Sequence, residues 1–129
     1  MVATLDDVSA IVATLPGAVA GERHGGRTWL VNGKVFAWER GYSKADVKRA
    51  GDEPLPEPPL LGVRTVDLDD KEAILAEGHK GFFTIPHFDG YPAVLVHLRS
   101  VGKRHLKEAL VDGWLVYAPK ADADAYLRR

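Results

Sequence analysis

The sequence predicts an α+β fold: a compact two-layer domain in which an antiparallel sheet of about five strands is backed by helices. Three observations carry this reading. The periodic segments run helix, three strands, helix, two strands, helix, which breaks the strict βαβα alternation of a parallel fold. Asn32-Gly33 lies between two apolar segments and is a strong hairpin signal, because both turn positions favour positive φ. The 129 residues are 46% hydrophobic and 27% charged, enough to bury one core without a disulfide or metal staple.

Helix 5–15 follows from Val8, Ile11, Val12 and Leu15 at i, i+3, i+4 and i+7, with Thr4 and Asp7 as a capping box and Pro16-Gly17 as the stop. The glycine-rich stretch that follows reads as a flexible connector. In hairpin 27–39, counting outward from the two-residue turn sets Leu30 opposite Val35 and Trp29 opposite Phe36. One face then carries Trp29, Val31, Phe36 and Trp38, and the other Leu30, Val35 and Ala37. Both faces are apolar, which predicts helices on one side and partial shielding on the other.

Residues 41–59 contain Pro54, Pro56, Pro58 and Pro59 and read as a long surface loop with one helical turn at Lys44–Arg49. Strand 60–66 comes next. Asp69 suits an N-cap with Glu72 at N3, giving helix 70–77 and a stop at Gly78. Strands 82–85 and 93–98 are joined through a turn at Asp89-Gly90. Leu106, Leu110, Trp114 and Tyr117 form the stripe of helix 103–117, and a short helical tail follows the break at Ala118-Pro119. No repeat divides the chain, so residues 1–129 read as a single domain.

Net charge is −1, from 17 Lys+Arg against 18 Asp+Glu, which excludes a global cationic field for holding a polyanion. The signs are nonetheless segregated. Residues 22–49 hold seven bases against three acids, residues 51–72 seven acids against two bases, and residues 97–129 seven bases against four acids. The absence of cysteine excludes disulfides, thiolate metal sites and a Cys nucleophile. No apolar run approaches the ~20 residues of a bilayer span and no basic-then-apolar leader opens the chain, so a cytoplasmic location is expected.

Catalytic patterns are missing. Ser9, Ser43 and Ser100 are the only serines and none lies in G-x-S-x-G. The glycines at 17–26 lack the Lys-Ser/Thr end of a phosphate loop. Of the five histidines none sits in H-E-x-x-H; His87 with Asp89 is the nearest pair, and turn hydrogen bonding accounts for it. No metal, no cofactor and no enzymatic activity are expected; were the chain an enzyme, His87 and Asp89 would be its acid/base pair. Trp29, Phe36 and Trp38 interleaved with Arg27, Lys34 and Arg40 have the composition of a single-strand stacking platform, although burial energetics favour reading the rings as core. Lys103, Arg104, His105 and Lys107 occupy a helix N-terminus, where their charge opposes the dipole and hints at an anionic partner.

The segment Phe82-Phe83-Thr84-Ile85-Pro86-His87-Phe88-Asp89-Gly90-Tyr91-Pro92-Ala93-Val94-Leu95-Val96 resembles the MmcQ/YjbR family. Leu15-Pro16-Gly17, Gly33-Lys34-Val35-Phe36-Ala37, and Trp114 followed by Ala118-Pro119-Lys120 agree with it in order along the chain. The resemblance implies the CyaY-like, or frataxin-like, α+β arrangement, without implying iron binding. Members commonly carry the label DNA-binding protein. Combined with the charge map, it gives a first expectation: a non-enzymatic domain binding DNA weakly through phosphate contacts from Lys103, Arg104, Lys107 and Lys120, with Arg40, Lys44, Lys48 and Arg49 as a second patch. The second expectation is a small-molecule or protein-binding module with a pocket beside the turn at 87–91, formed by Trp38, His87, Asp89 and Tyr91.

Overall fold

Thr4 caps the first helix as its spacing from Asp7 predicts. In the computed structural model, which describes residues 2–128, Thr4 Oγ1 accepts from Asp7 N at 3.1 Å and Asp7 Oδ2 accepts from Thr4 N at 2.9 Å. Helix α1 (Leu5–Val12) is shorter than the predicted 5–15, because the chain tightens after Val12 into turns donated by Thr14 and Leu15. Leu15 is still buried.

The stretch read as a flexible connector forms a strand. β1 (Val19–Arg23), β2 (Gly26–Val31) and β3 (Lys34–Arg40) make a meander whose two turns are alike. His24-Gly25 has φ of 54° and 77°, and Asn32-Gly33 has 53° and 73°. Both are two-residue turns with positive φ at each position, the geometry that matches strand twist. The sheet therefore has six strands and not five, in the order β1-β2-β3-β4-β6-β5 with every neighbouring pair antiparallel.

Other boundaries shift for local reasons. The loop 41–59 contains a capped helix, α2 (Lys44–Ala50), in which Ser43 and Asp46 satisfy each other's backbone N–H groups. β4 (Leu60–Arg64) ends before residue 66. Helix α3 (Leu68–Glu77) starts earlier than 70, since the N-cap is Asp67 and not Asp69, its carboxylate accepting from Asp70 N at 2.8 Å. Gly78 ends it in the left-handed region, as predicted. β5 (Phe82–Phe83) is shorter than 82–85, because Ile85 opens a single 3-10 turn over Pro86–Phe88. β6 (Ala93–His97), α4 (Lys103–Tyr117) and α5 (Lys120–Leu127) complete the chain.

One irregularity sets which residues face which layer. Leu30 pairs with Val35, as counted, but Trp29 pairs with Ala37, so Phe36 is an extra residue in β3. The bulge sends Phe36 and Ala37 together into the helix-side core. It sends Trp38 to the other face, away from the Trp29, Val31 and Phe36 with which it was expected to align.

The front of the sheet packs against α1, α3 and α4. Trp29, Phe36, Leu61, Val63, Val94 and Val96 meet Val8, Leu106, Leu110 and Trp114 there. Each such side chain contributes about 1.5–3 kcal/mol when fully buried. α4 approaches the sheet closely at Gly113, where a Cβ would lie 2.9 Å from Val63 Cγ1. The back is covered over only half its width: Ile85, Phe88, Tyr42 and Leu55 lie over Ala93 and Leu95. The doubled-back loop is held by the Tyr42 hydroxyl, which donates to the Pro56 carbonyl at 2.6 Å. Over β2 and β3 the cover ends, and Leu30 and Val35 remain half-buried. No helix among the described residues is long and apolar enough to cross a membrane.

Candidate ligand groove

Where the back cover stops, a groove runs along its border. Its larger part, about 480 Å³, lies over β2 and β3 between Arg23, His24, Thr28, Val35 and Trp38. Its smaller part, about 310 Å³, is lined by Trp38, Arg40, His87, Phe88 and Tyr91. Trp38, Arg40 and Tyr91 border both parts, so the two adjoin along these side chains.

The floor is built by the strands. Trp38 pairs with Gly62 across β3 and β4, and a Cβ on residue 62 would lie 2.4 Å from Trp38 Cε2. Only glycine lets the indole lie on the β4 backbone. Phe88 forms the wall, with its ring centroid 6.2 Å from Trp38 and 5.8 Å from Tyr91, the latter edge-on at 87°. The Arg40 guanidinium lies 5.5 Å over the Phe88 ring and donates to Asp46 at 3.0 Å and to the Gly41 carbonyl. Asp46 is buried, which alone would raise its pKa, but hydrogen bonds from Ser43 and the Arg40 cation hold the carboxyl below the usual carboxylate range.

The turn at the groove's rim is fixed from the opposite layer. Lys71 of α3 is buried, and its Nζ donates to the carbonyls of Phe88 at 2.6 Å and Tyr91 at 2.9 Å. Burial pushes its pKa down, and the charge of Asp89 partly restores it. Asp89 is exposed and is absent from the lining that Trp38, His87 and Tyr91 share, its charge acting instead on Lys71. Arg64 stacks 5.5 Å over Tyr91 and 5.7 Å over Tyr117, bracing the rim from outside.

The basic residues expected to contact phosphate fall into two sets on opposite layers of the sheet. Lys103, Arg104 and Lys107 are on α4, in front; α2, with Lys44, Lys48 and Arg49, packs against the 3-10 turn at the back. Much of the front set is engaged: Lys103 lies 4.0 Å from Asp7, Arg104 3.2 Å from Glu108 and, on α5, Lys120 2.7 Å from Asp124. Lys107, Lys44, Lys48 and Arg49 are exposed and have no ion pair among the described residues. The His87 ring lies 5.8 Å from that of Phe88, and its side chain has no hydrogen bond or ion pair among the described residues. Among the described residues no group of three or more His, Asp and Glu is placed to share a metal ion.

Arg23, His24, Thr28 and Lys71 were not anticipated. Arg23 and His24 depend on β1 and the turn after it, for which the signal is Arg23-His24-Gly25-Gly26 beside the 27–39 hairpin, whereas Thr28 lies on β2. Lys71 reads as an ordinary surface lysine, and nothing in its neighbours announces that it reaches two carbonyls 17 and 20 residues away.

No family model matches the chain, and no solved structure matches it. It is 44% identical over 128 residues to the uncharacterized protein Rv2570 of Mycobacterium tuberculosis (strain ATCC 25618 / H37Rv), covering 97% of this chain and 96% of that protein. The uncharacterized protein Mb2600 of Mycobacterium bovis (strain ATCC BAA-935 / AF2122/97) is similar to the same degree over the same shares. With that identity over nearly the whole of both sequences, the chain belongs to the family of these mycobacterial proteins.

Proposed function

We propose that this protein is a non-enzymatic binding module that takes a small molecule in the groove between Trp38 and the 87–91 turn. The observation that carries this reading is the convergence there of an accessible indole, a second aromatic side chain and a fixed guanidinium, beside a half-covered sheet. The resemblance to the MmcQ/YjbR family is part of the same proposal and contributes the motif that forms the turn. A thermal-shift panel of metabolites tests it. A hit should raise the melting temperature of the wild-type chain and leave that of Trp38→Ala unmoved. Equal shifts in both proteins, or none across the panel, would remove the groove from consideration.

A second reading, weak DNA binding without sequence preference, is favoured by the exposed and unpaired Lys44, Lys48 and Arg49 on α2. Fluorescence anisotropy of labelled duplex and single-stranded DNA at two salt concentrations tests it. Binding that weakens steeply with salt and is abolished by charge reversal at these three positions would support it. Binding that is unaltered by the reversal would not.

A further inference from the structure

We propose that the groove's ligand is an anionic planar ring compound, an aromatic carboxylate or phosphate ester, with its ring on Trp38 and its charge toward Arg23 and His24. This rests on the groove being the binding site, and it deepens that reading to a chemical class. The ring preference follows from the aromatic surfaces. Trp38 is backed by the Gly62 backbone and half-buried, while Tyr91 stands edge-on to Phe88 and is exposed. Trp38 and Tyr91 each pack against Phe88, and Arg64 lies over the Tyr91 ring, so the Trp38 indole is the main surface offered to a bound ring, with Tyr91 at its rim.

The charge preference follows from the hydrogen-bond inventory. Trp38 Nε1 donates to nothing among the described residues, and neither Arg23 nor His24 has a side-chain partner there. Among the described residues Glu39 is the single carboxylate bordering the groove, and its Oε1 accepts from the backbone N–H of Arg27 at 3.0 Å. Arg40 borders the same groove, but Asp46 balances its charge, so the open donors are those of Arg23, His24 and Trp38 Nε1. The groove therefore offers open donors at one end and ring faces at the other, and a ligand carrying an anion on an aromatic ring satisfies both. Volumes of about 480 and 310 Å³ suit one ring system with its substituent.

Isothermal titration of the whole chain with 1-naphthoate, 1-naphthyl phosphate and the neutral 1-naphthamide tests this. At least one anion should bind about tenfold tighter than the amide, and the tighter of the two identifies carboxylate or phosphate as the preferred group. Arg23→Gln should weaken that anion by about fivefold and leave the amide unchanged. Trp38→Ala should weaken all three, with Trp38→Phe retaining most of the affinity, which separates loss of the ring surface from misfolding. If the amide binds as tightly as both anions and Arg23→Gln changes nothing, while Trp38→Ala still weakens binding, the ligand class is overturned and the groove stands. If Trp38→Ala leaves every affinity unaltered, or no probe binds at millimolar concentration, the groove and the class fall together.

Discussion

Trp38 and Gly62 are cross-strand partners, and the indole of the first occupies the space where a side chain of the second would be. Residue 62 is buried, so the neighbours leave no room for compromise. Gly62→Ala should cost about 1–3 kcal/mol through overpacking and displace the indole from the groove floor. Urea unfolding measures the first effect and probe titration the second. A variant with the wild-type midpoint would show that the ring yields freely.

Lys71 ties α3 to the groove rim through two carbonyls. Lys71→Met keeps the stem and removes two hydrogen bonds from a charged donor, leaving the Phe88 carbonyl with Tyr91 N and the Tyr91 carbonyl with Ala93 N, at an expected cost of about 1–3 kcal/mol. Hydrogen exchange should then speed up at residues 88–91 ahead of the sheet. Because burial lowers the lysine's pKa, the folded state loses this proton more readily than the unfolded chain. Stability contributed by Lys71 deprotonation therefore rises with pH between the lowered value and the ordinary value of about 10.4, and Lys71→Met should flatten that rise.

Asp46 has its folded pKa held down, so it stabilises the protein wherever it is ionised in both states and loses that contribution as pH falls below about 4. Asp46→Asn should lower stability near neutral pH by about 1 kcal/mol, since it weakens the α2 cap and leaves Arg40 without its anion. The difference between variant and wild type should shrink on acidification. Thermal melts across an acid series would show it.

Asp112 behaves in the opposite sense. It keeps much of its surface in solvent, yet its carboxyl lies in the cleft between α3 and α4, where partial desolvation and the charges of Asp70, Glu108 and Glu77 push its pKa up. Ionisation is thus less favourable in the folded state, and stability falls as pH rises from about 4 through the raised value. Asp112→Asn should melt higher than wild type at neutral pH and level with it in acid. Added salt should narrow the gap.

The helices were legible in the sequence where a capping box or a clear apolar periodicity marked them. Thr4 with Asp7, and the run from Lys103 to Tyr117, are found where their residues place them. β1 was not, because Val19-Ala20-Gly21-Glu22-Arg23 has no alternation and becomes a strand only by pairing with β2. The groove was half legible. Asp89-Gly90 marks a turn beside the sheet with His87 and Tyr91 flanking it, but the face to which Trp38 belongs hinges on a one-residue bulge at Phe36, and a bulge reverses every side chain beyond it. Lys71 and Gly62 act through partners distant in sequence, and no local pattern encodes such contacts.

The placement of the three tryptophans has an optical consequence. Trp29 and Trp114 are sealed at 1% and 0% exposure, while Trp38 borders the groove. Acrylamide should therefore quench one indole of the three, and the emission that survives should be the blue-shifted light of the two interior rings. The protein carries its own reference signal: any molecule that settles on Trp38 will change the quenchable fraction while the protected fraction stays constant.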